Sequence, residues 1–158
     1  FAPAQPLPYL PDVARLEWFA HQAHYAGDPA PLDTTKLAAL GEEDYPRLAL
    51  TLHPAVAMVS SAYPLLRIWE VHQIDYRGEI VVDLGSGGGE VIVYRPHYRA
   101  TVAALTHAEA VFLTAIMRGE LLGAALERAV TADTRFDLAT SLKRWTTENI
   151  VVDFSVAG

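Results

Sequence analysis

The sequence contains no cysteine, and that absence removes several kinds of chemistry. Without cysteine the chain has no disulfide bond, no thiolate ligand for a metal and no cysteine nucleophile. Disulfides are rare in the reducing cytoplasm. The composition is therefore consistent with the cytoplasmic location that we expect for this protein.

Long apolar runs are also absent from the sequence. None approaches the roughly 20 apolar residues that a membrane-spanning helix needs, so we expect no membrane partner. The opening segment FAPAQPLPYLPD carries four prolines and no basic residue, unlike a secretory signal peptide. Because the chain starts with Phe and not Met, we expect a further segment upstream.

Positive charge is scarce relative to negative charge. The chain has 12 Lys and Arg against 19 Asp and Glu, which gives a formal net charge of −7. A nucleic-acid-binding surface needs clustered basic residues that displace counterions from phosphates. The overall charge therefore makes nucleic acid an unlikely partner, although a local basic patch remains compatible with it.

The first half of the chain predicts short helices and strands. The expected elements are a helix from Asp12 to Tyr25, a helix at Thr34–Leu40 capped by Asp33, a strand region at Leu48–Ser60 and a helix at Leu65–Gln73. Pro54 interrupts the strand region. The region is therefore either one broken strand or two short strands.

The second half predicts a three-stranded sheet followed by three helices. The expected strands are Glu79–Leu84, Glu90–Arg95 and Arg99–Leu105, with a hairpin tip at Gly85–Gly89. The expected helices begin near Thr106, Leu121 and Asp137, and Ile150–Phe154 is a final strand or an extended tail. This order indicates an α+β chain whose second half is winged-helix-like.

The glycine-rich segment GSGGGE has the composition of a phosphate-binding loop. Such a loop must lead from a strand into a helix, whose free amide groups hold the anion. Here the glycines lead into another predicted strand, and the Lys-Ser/Thr ending is missing. The pattern favours a wing or hairpin tip over a phosphate site.

One helix face could bind a metal. Glu17, His21 and His24 are spaced so that a helix places them on one side, and a carboxylate with two imidazoles can hold zinc or iron. Histidines at this spacing are also common on ordinary polar helix faces, and no second ligand cluster is visible. We therefore assign no metal, cofactor or catalytic residue to the chain.

A winged-helix order also raises the possibility of a DNA-binding transcriptional regulator. The third helix of the second half would then be the recognition helix, and it carries Lys143 and Arg144. Residues 100–158 nevertheless contain five Lys and Arg against seven Asp and Glu. Two adjacent basic residues do not make a phosphate-binding surface.

The strand Arg99–Leu105 offers a different binding mode. Its side chains are mostly small, and at a sheet edge its unpaired backbone groups could accept a guest peptide strand. A loop or the tail Ile150–Phe154 could equally cover that edge. The sequence pattern leaves both possibilities open.

Two motifs resemble a known family. The segments LPYLPDVARLEW (Leu7–Trp18) and LHPAVAMVSSAYPLLRIWEVHQ (Leu52–Gln73) are similar to the C-terminal region of the HvfC/BufC-like bacterial family, whose members have been labelled DNA-binding. The likeness extends from about Leu7 to Phe154. Members of that family usually carry a helical domain before the first motif.

The resemblance implies a function. It implies a non-catalytic partner of a multinuclear iron oxidase that modifies cysteines of a ribosomally made precursor peptide. Residues 76–158 would be a recognition module for the leader of that peptide, and residues 1–75 would dock the oxidase. The implied peptide-binding residues are Arg99, Thr101, Val102, Ala103, Leu105, Leu138, Ser141, Leu142 and Trp145. The expected docking residues are Trp18, His21, Tyr25 and Trp69.

Overall fold

A computed structural model describes residues 7–158, which form six α-helices and five strands. The helices are α1 (Leu10–Tyr25), α2 (Thr34–Ala38), α3 (Leu65–Val71), α4 (His107–Met117), α5 (Leu122–Ala132) and α6 (Leu138–Thr147). The strands are β1 (Leu48–Leu52), β2 (Ala57–Ser61), β3 (Gly89–Tyr94), β4 (Thr101–Leu105) and β5 (Val151–Val156). The expected α+β class, with a three-stranded antiparallel sheet followed by three helices, is confirmed.

The strands form two antiparallel sheets. The larger sheet has the order β2-β3-β4, and the smaller one pairs β1 with β5. The segment Leu48–Ser60 therefore contains two strands that belong to different sheets, which settles the alternatives left open by Pro54. The regions 1–75 and 76–158 each contribute strands to both sheets.

The predicted strand Glu79–Leu84 is wrong. These residues form no strand, and Ile80 and Val81 are 75% and 70% exposed. The reason is competition for a partner, because β2 occupies the side of β3 where this segment would have paired. A β-branched run needs a neighbouring strand as well as the right composition.

The glycine-rich segment is consequently not a hairpin tip either. It leads from an irregular loop into β3. A Cβ on Gly88 would overlap the carbonyl oxygen of Ser61 and the backbone of Ala62. Glycine is required at Gly88 because the loop passes directly against the end of β2.

Helix starts follow the sequence signals in three cases. Asp33 caps α2, Asp137 caps α6, and Thr106 forms a capping box with Glu109 at the start of α4. Asp12, in contrast, does not cap α1, which already begins at Leu10. Its side chain instead accepts a 2.7 Å hydrogen bond from the Ser61 hydroxyl.

The larger sheet separates two apolar clusters. Alternate side chains of β3 and β4 face opposite sides, as strand geometry requires. Ile92 and Tyr94 belong to the cluster with α4, α5 and α6, whereas Val91 and Val93 belong to the cluster with α1 and α3. Both faces of the sheet are therefore packed against helices.

A single buried arginine fixes α1 to this sheet. The guanidinium of Arg95 donates to the carbonyl oxygens of Ala23 (2.7 Å), His24 (3.0 Å), Ala26 (2.8 Å) and Gly27 (3.1 Å). It also pairs with a carboxylate oxygen of Asp28 at 2.6 Å. The carbonyl groups that a helix leaves unsatisfied at its carboxyl end thus find their donors here.

Candidate functional site

Strand β4 lies at the edge of the larger sheet. It pairs with β3 on one side, and none of residues 7–158 pairs with it on the other. The tail that could have covered it, β5, pairs with β1 instead. Every second residue of β4 therefore directs its N–H and C=O away from the sheet, where a guest strand could pair with them.

A narrow groove separates the β4 edge from α6. It has a volume of about 110 Å³. Its lining comes from β3, from β4 and from the end of α6 with the residues that follow it. The lining residues are Ile92, Tyr94, Ala103, Ala104, Leu105, Arg144, Trp145, Glu148 and Ile150. The small side chain of Ala103, which faces α6, keeps the groove open on the strand side.

Two polar contacts fix α6 opposite the strand. Arg144 forms an ion pair with the buried carboxylate of Glu109 at the start of α4. Just beyond the same end of α6, the Asn149 side chain donates a 2.8 Å hydrogen bond to the carbonyl of Pro96, which follows β3. These contacts fix the carboxyl end of α6, which forms one wall of the groove.

Trp145 forms the buried part of that wall. Its side chain is 0% exposed and stacks on Phe112 with ring centroids 5.4 Å apart. Its indole Nε1 is buried and has no acceptor among the described residues. An unsatisfied buried donor costs about 1–3 kcal/mol, so the free protein carries a penalty at this position.

Tyr94 and Glu148 give the groove its electrostatic character. Burial raises the pKa of the Tyr94 phenol, and the negative charge of Glu148 raises it further. Tyr94 therefore remains a neutral phenol, able to donate as well as accept a hydrogen bond. The groove combines apolar walls with a few polar groups, as peptide and ligand sites usually do.

The structure brings together part of the predicted peptide-binding set. Ala103, Leu105 and Trp145 line the groove. The other predicted residues, which are Arg99, Thr101, Val102, Leu138, Ser141 and Leu142, are not among its lining residues. Leu138 and Leu142 pack on the main core, and Ser141 is buried.

Sequence reasoning missed several residues of the groove. Glu148 follows Arg144 at the helical i, i+4 spacing and so continues the same stripe of α6. That spacing could have identified Glu148 from the sequence. Tyr94 and Ile150 come from other elements, and only the folded chain places them beside β4.

The predicted docking residues lie on the opposite side of the larger sheet. His21 and Trp69 line a groove of about 710 Å³ between α1 and α3. Trp18 and Tyr25 are 59% and 72% exposed and lie beside this groove. The His21 ring contacts both, with centroids 6.1 Å from Trp18 and 5.0 Å from Tyr25. The four residues thus form one aromatic surface along α1 and α3.

The potential metal face of α1 does not form a cluster. Across residues 7–158, no three His, Asp or Glu side chains are placed to hold an ion. His21 and His24 instead make aromatic contacts with Tyr25. The metal hypothesis for Glu17, His21 and His24 therefore gains no geometric support.

The two basic residues of α6, Lys143 and Arg144, have different surroundings. Arg144 is paired with Glu109 and lies over the Trp145 ring, its Cζ 6.0 Å from the ring centroid. Lys143 is exposed. A single exposed lysine gives little affinity for nucleic acid, because the affinity grows with the number of phosphates that basic side chains neutralise.

Comparison with models of protein families, with curated proteins and with solved structures found no match for this chain. Within residues 7–158, the helices are too short or too polar to cross a membrane.

Proposed function

We propose that this chain is a non-catalytic subunit that binds an extended precursor peptide at β4 and presents it to a multinuclear iron oxidase in the cytoplasm. The observation that carries the proposal is the unpaired β4 edge facing a preformed groove under α6. Strand addition of this kind takes its affinity from main-chain hydrogen bonds and its specificity from side-chain pockets.

The buried donor in the groove supports a peptide as the occupant. A peptide carries a carbonyl oxygen at every residue and so offers, without requiring a particular sequence, the acceptor that Trp145 Nε1 lacks, provided that binding displaces the groove wall enough to expose this buried atom. The Ala103 side of the groove then has room for one apolar guest side chain. A bound peptide would therefore provide hydrogen-bond partners for the backbone of β4 and for the indole of Trp145.

The oxidase part of the proposal comes from the family resemblance, and the aromatic surface on α1 and α3 supports it. Exposed aromatic residues are enriched at protein interfaces. Half-buried Trp69 packs on the face of the sheet opposite the peptide groove, and the exposed rings of Trp18 and Tyr25 contact His21, which lines the same groove as Trp69. A partner docked there would leave the β4 edge accessible.

The test uses a displayed library of short random peptides selected on the purified chain. An enriched peptide titrated into the isotope-labelled protein should shift the amide signals of Thr101–Leu105 and the indole N–H signal of Trp145. Trp145→Phe should weaken binding about fivefold, the effect of one hydrogen bond worth about 1 kcal/mol. Trp18→Phe is the matched control and should leave peptide affinity unchanged.

Two results would contradict peptide binding at β4. One is that no peptide is enriched above background. The other is that enriched peptides bind without moving any signal in β4. Loss of affinity in both tryptophan variants would place the peptide elsewhere.

The oxidase partner is tested separately through the genome. An oxidase reading frame and a short cysteine-containing peptide should lie beside the gene for this chain, and the two proteins should co-purify when produced together. Trp18→Ala should reduce co-purification, whereas Trp145→Phe should not. Absence of both neighbours would argue for another partner.

The DNA-binding alternative makes a different prediction. A regulator would retard the migration of DNA in a gel at low salt. Its affinity for DNA would fall steeply as the salt concentration rises. With Arg144 paired to Glu109, no such shift is expected.

A further inference from the structure

A second groove borders the same edge of β4. It lies on the α3 side of the larger sheet and has a volume of about 350 Å³. Ala104 and Leu105 line both this groove and the one under α6. The exposed edge of one strand is therefore flanked by a groove on each face of the sheet.

Strand geometry decides how a guest would use the two grooves. Successive side chains of a strand point to opposite faces. In β4, Ala103 faces the α6 cluster, and Ala104, the next residue, faces the α3 side. A guest strand paired with β4 would thus place alternate side chains in alternate grooves, since cross-strand neighbours share a face.

The α3 groove has an apolar floor and an acidic rim. Tyr63, Leu65 and Val91 contribute the floor. Leu66 and Glu70 lie one turn apart on α3 and form its side. The carboxylate of Glu70 is exposed, and no ion pair involves it within residues 7–158.

Among the described residues that line this groove, Arg67 is the one cation, and it is already engaged. Arg67 donates a 2.8 Å hydrogen bond to the carbonyl oxygen of Glu79, and its guanidinium lies 5.3 Å from the centre of the Tyr76 ring. Both contacts hold it against the loop after α3. Of the two carboxylates that line this groove, Glu90 contacts the His107 ring, and Glu70 remains available to a guest.

We infer that the α3 groove is a second specificity site, which binds a lysine or arginine side chain of the guest peptide while the α6 groove binds the neighbouring apolar side chain. Lysine and arginine match the site because their apolar stems can cover the floor while the charged end reaches the rim. This inference rests on the proposed peptide binding at β4. It makes α3 part of the peptide site as well as of the docking surface.

The peptide library described above tests the inference through the sequences that it enriches. Lysine or arginine should be enriched at one position of the bound segment, with apolar residues at the flanking positions. Glu70→Lys should weaken an enriched basic peptide about fivefold. In a fresh selection, the same variant should replace the basic preference with an acidic one.

Glu127→Lys is the matched control, because it makes the same charge change on the exposed surface of α5. It should leave both the affinity and the selected sequences unchanged. If Glu70→Lys behaved like this control while the β4 signals still shifted, the second specificity site would be refuted and peptide binding would stand. If the β4 signals did not shift at all, the proposed function itself would fail.

Discussion

At the scale of single residues, Arg95 is almost completely buried, and its guanidinium makes several polar contacts. Its side chain is 5% exposed and donates to four backbone carbonyls at the end of α1. Lysine could not replace these contacts, because one ammonium group lacks the planar fork of a guanidinium. The arginine thus stabilises the helix and its attachment to the sheet together.

Arg95→Met should therefore lower the free energy of unfolding by at least about 3 kcal/mol, since several buried carbonyls would lose their donors. Urea unfolding followed by tryptophan fluorescence measures the change. Arg128→Met is the control, because Arg128 makes an exposed pair with Glu120 and should cost about 0.5 kcal/mol. Equal losses in the two variants would show that the Arg95 contacts add little.

His53 makes stability depend on pH. It is buried, and its Nδ1 accepts a 2.9 Å hydrogen bond from the amide of Ala55, so the ring is held neutral. Burial lowers the pKa of His53, and the positive charge of Arg95 lowers it further. The contribution to stability is fully present above the unfolded value of about 6.5 and is lost as pH falls from there towards the folded pKa.

The expected result is a urea midpoint that declines between about pH 7 and pH 5. His53→Asn should flatten that decline, because an Asn side chain can still accept from the amide two residues on but does not titrate. A decline of the same size in the variant would assign the pH dependence to other groups.

At the scale of elements, the loop before β3 depends on one glycine and not on its neighbour. A Cβ at Gly88 would meet the backbone of Ser61 and Ala62, whereas a Cβ at Gly89 would meet nothing within 4 Å. Gly88→Ala should destabilise the fold by about 2 kcal/mol or more through displaced backbone. Gly89→Ala should be neutral or stabilise by up to about 1 kcal/mol. Thermal unfolding of the pair compares them, and equal melting temperatures would contradict the close approach.

Local sequence signals explain which elements could be predicted. The starts of α4 and α6 follow from Thr106, Glu109 and Asp137, because a cap and its target amide lie within three residues of each other. The false strand at Glu79–Leu84 shows the limit of the method. Its composition suits a strand, but whether it pairs depends on β2, which is distant in sequence.

The candidate groove under α6 was predictable in part for the same reason. Ala103, Leu105 and Trp145 sit in patterns that a single strand and a single helix reveal. The α3 groove could not be predicted from such patterns. It is formed where α3, the end of β4 and the glycine-rich segment Gly87–Gly89 come together, and these elements are distant in sequence.

At the scale of the whole molecule, the two halves of the chain are not independent. Strand β2 supplies an edge of the larger sheet, and β1 supplies one half of the smaller sheet. The proposed peptide site at β4 accordingly rests on a sheet to which residues 57–61 belong. Variants that disturb the aromatic surface on α1 and α3 should be checked for folding before any loss of binding is interpreted.

The pairing of β1 with β5 also determines when this protein can fold. Leu48 pairs with Val156, so the smaller sheet joins two segments that are far apart along the chain. During synthesis, β1 emerges from the ribosome long before its partner exists. Contacts of such high sequence separation slow folding, because the intervening chain must first be ordered. Until β5 is made, the apolar face of β1 is exposed to wrong partners, and the nascent chain is at its most prone to aggregation.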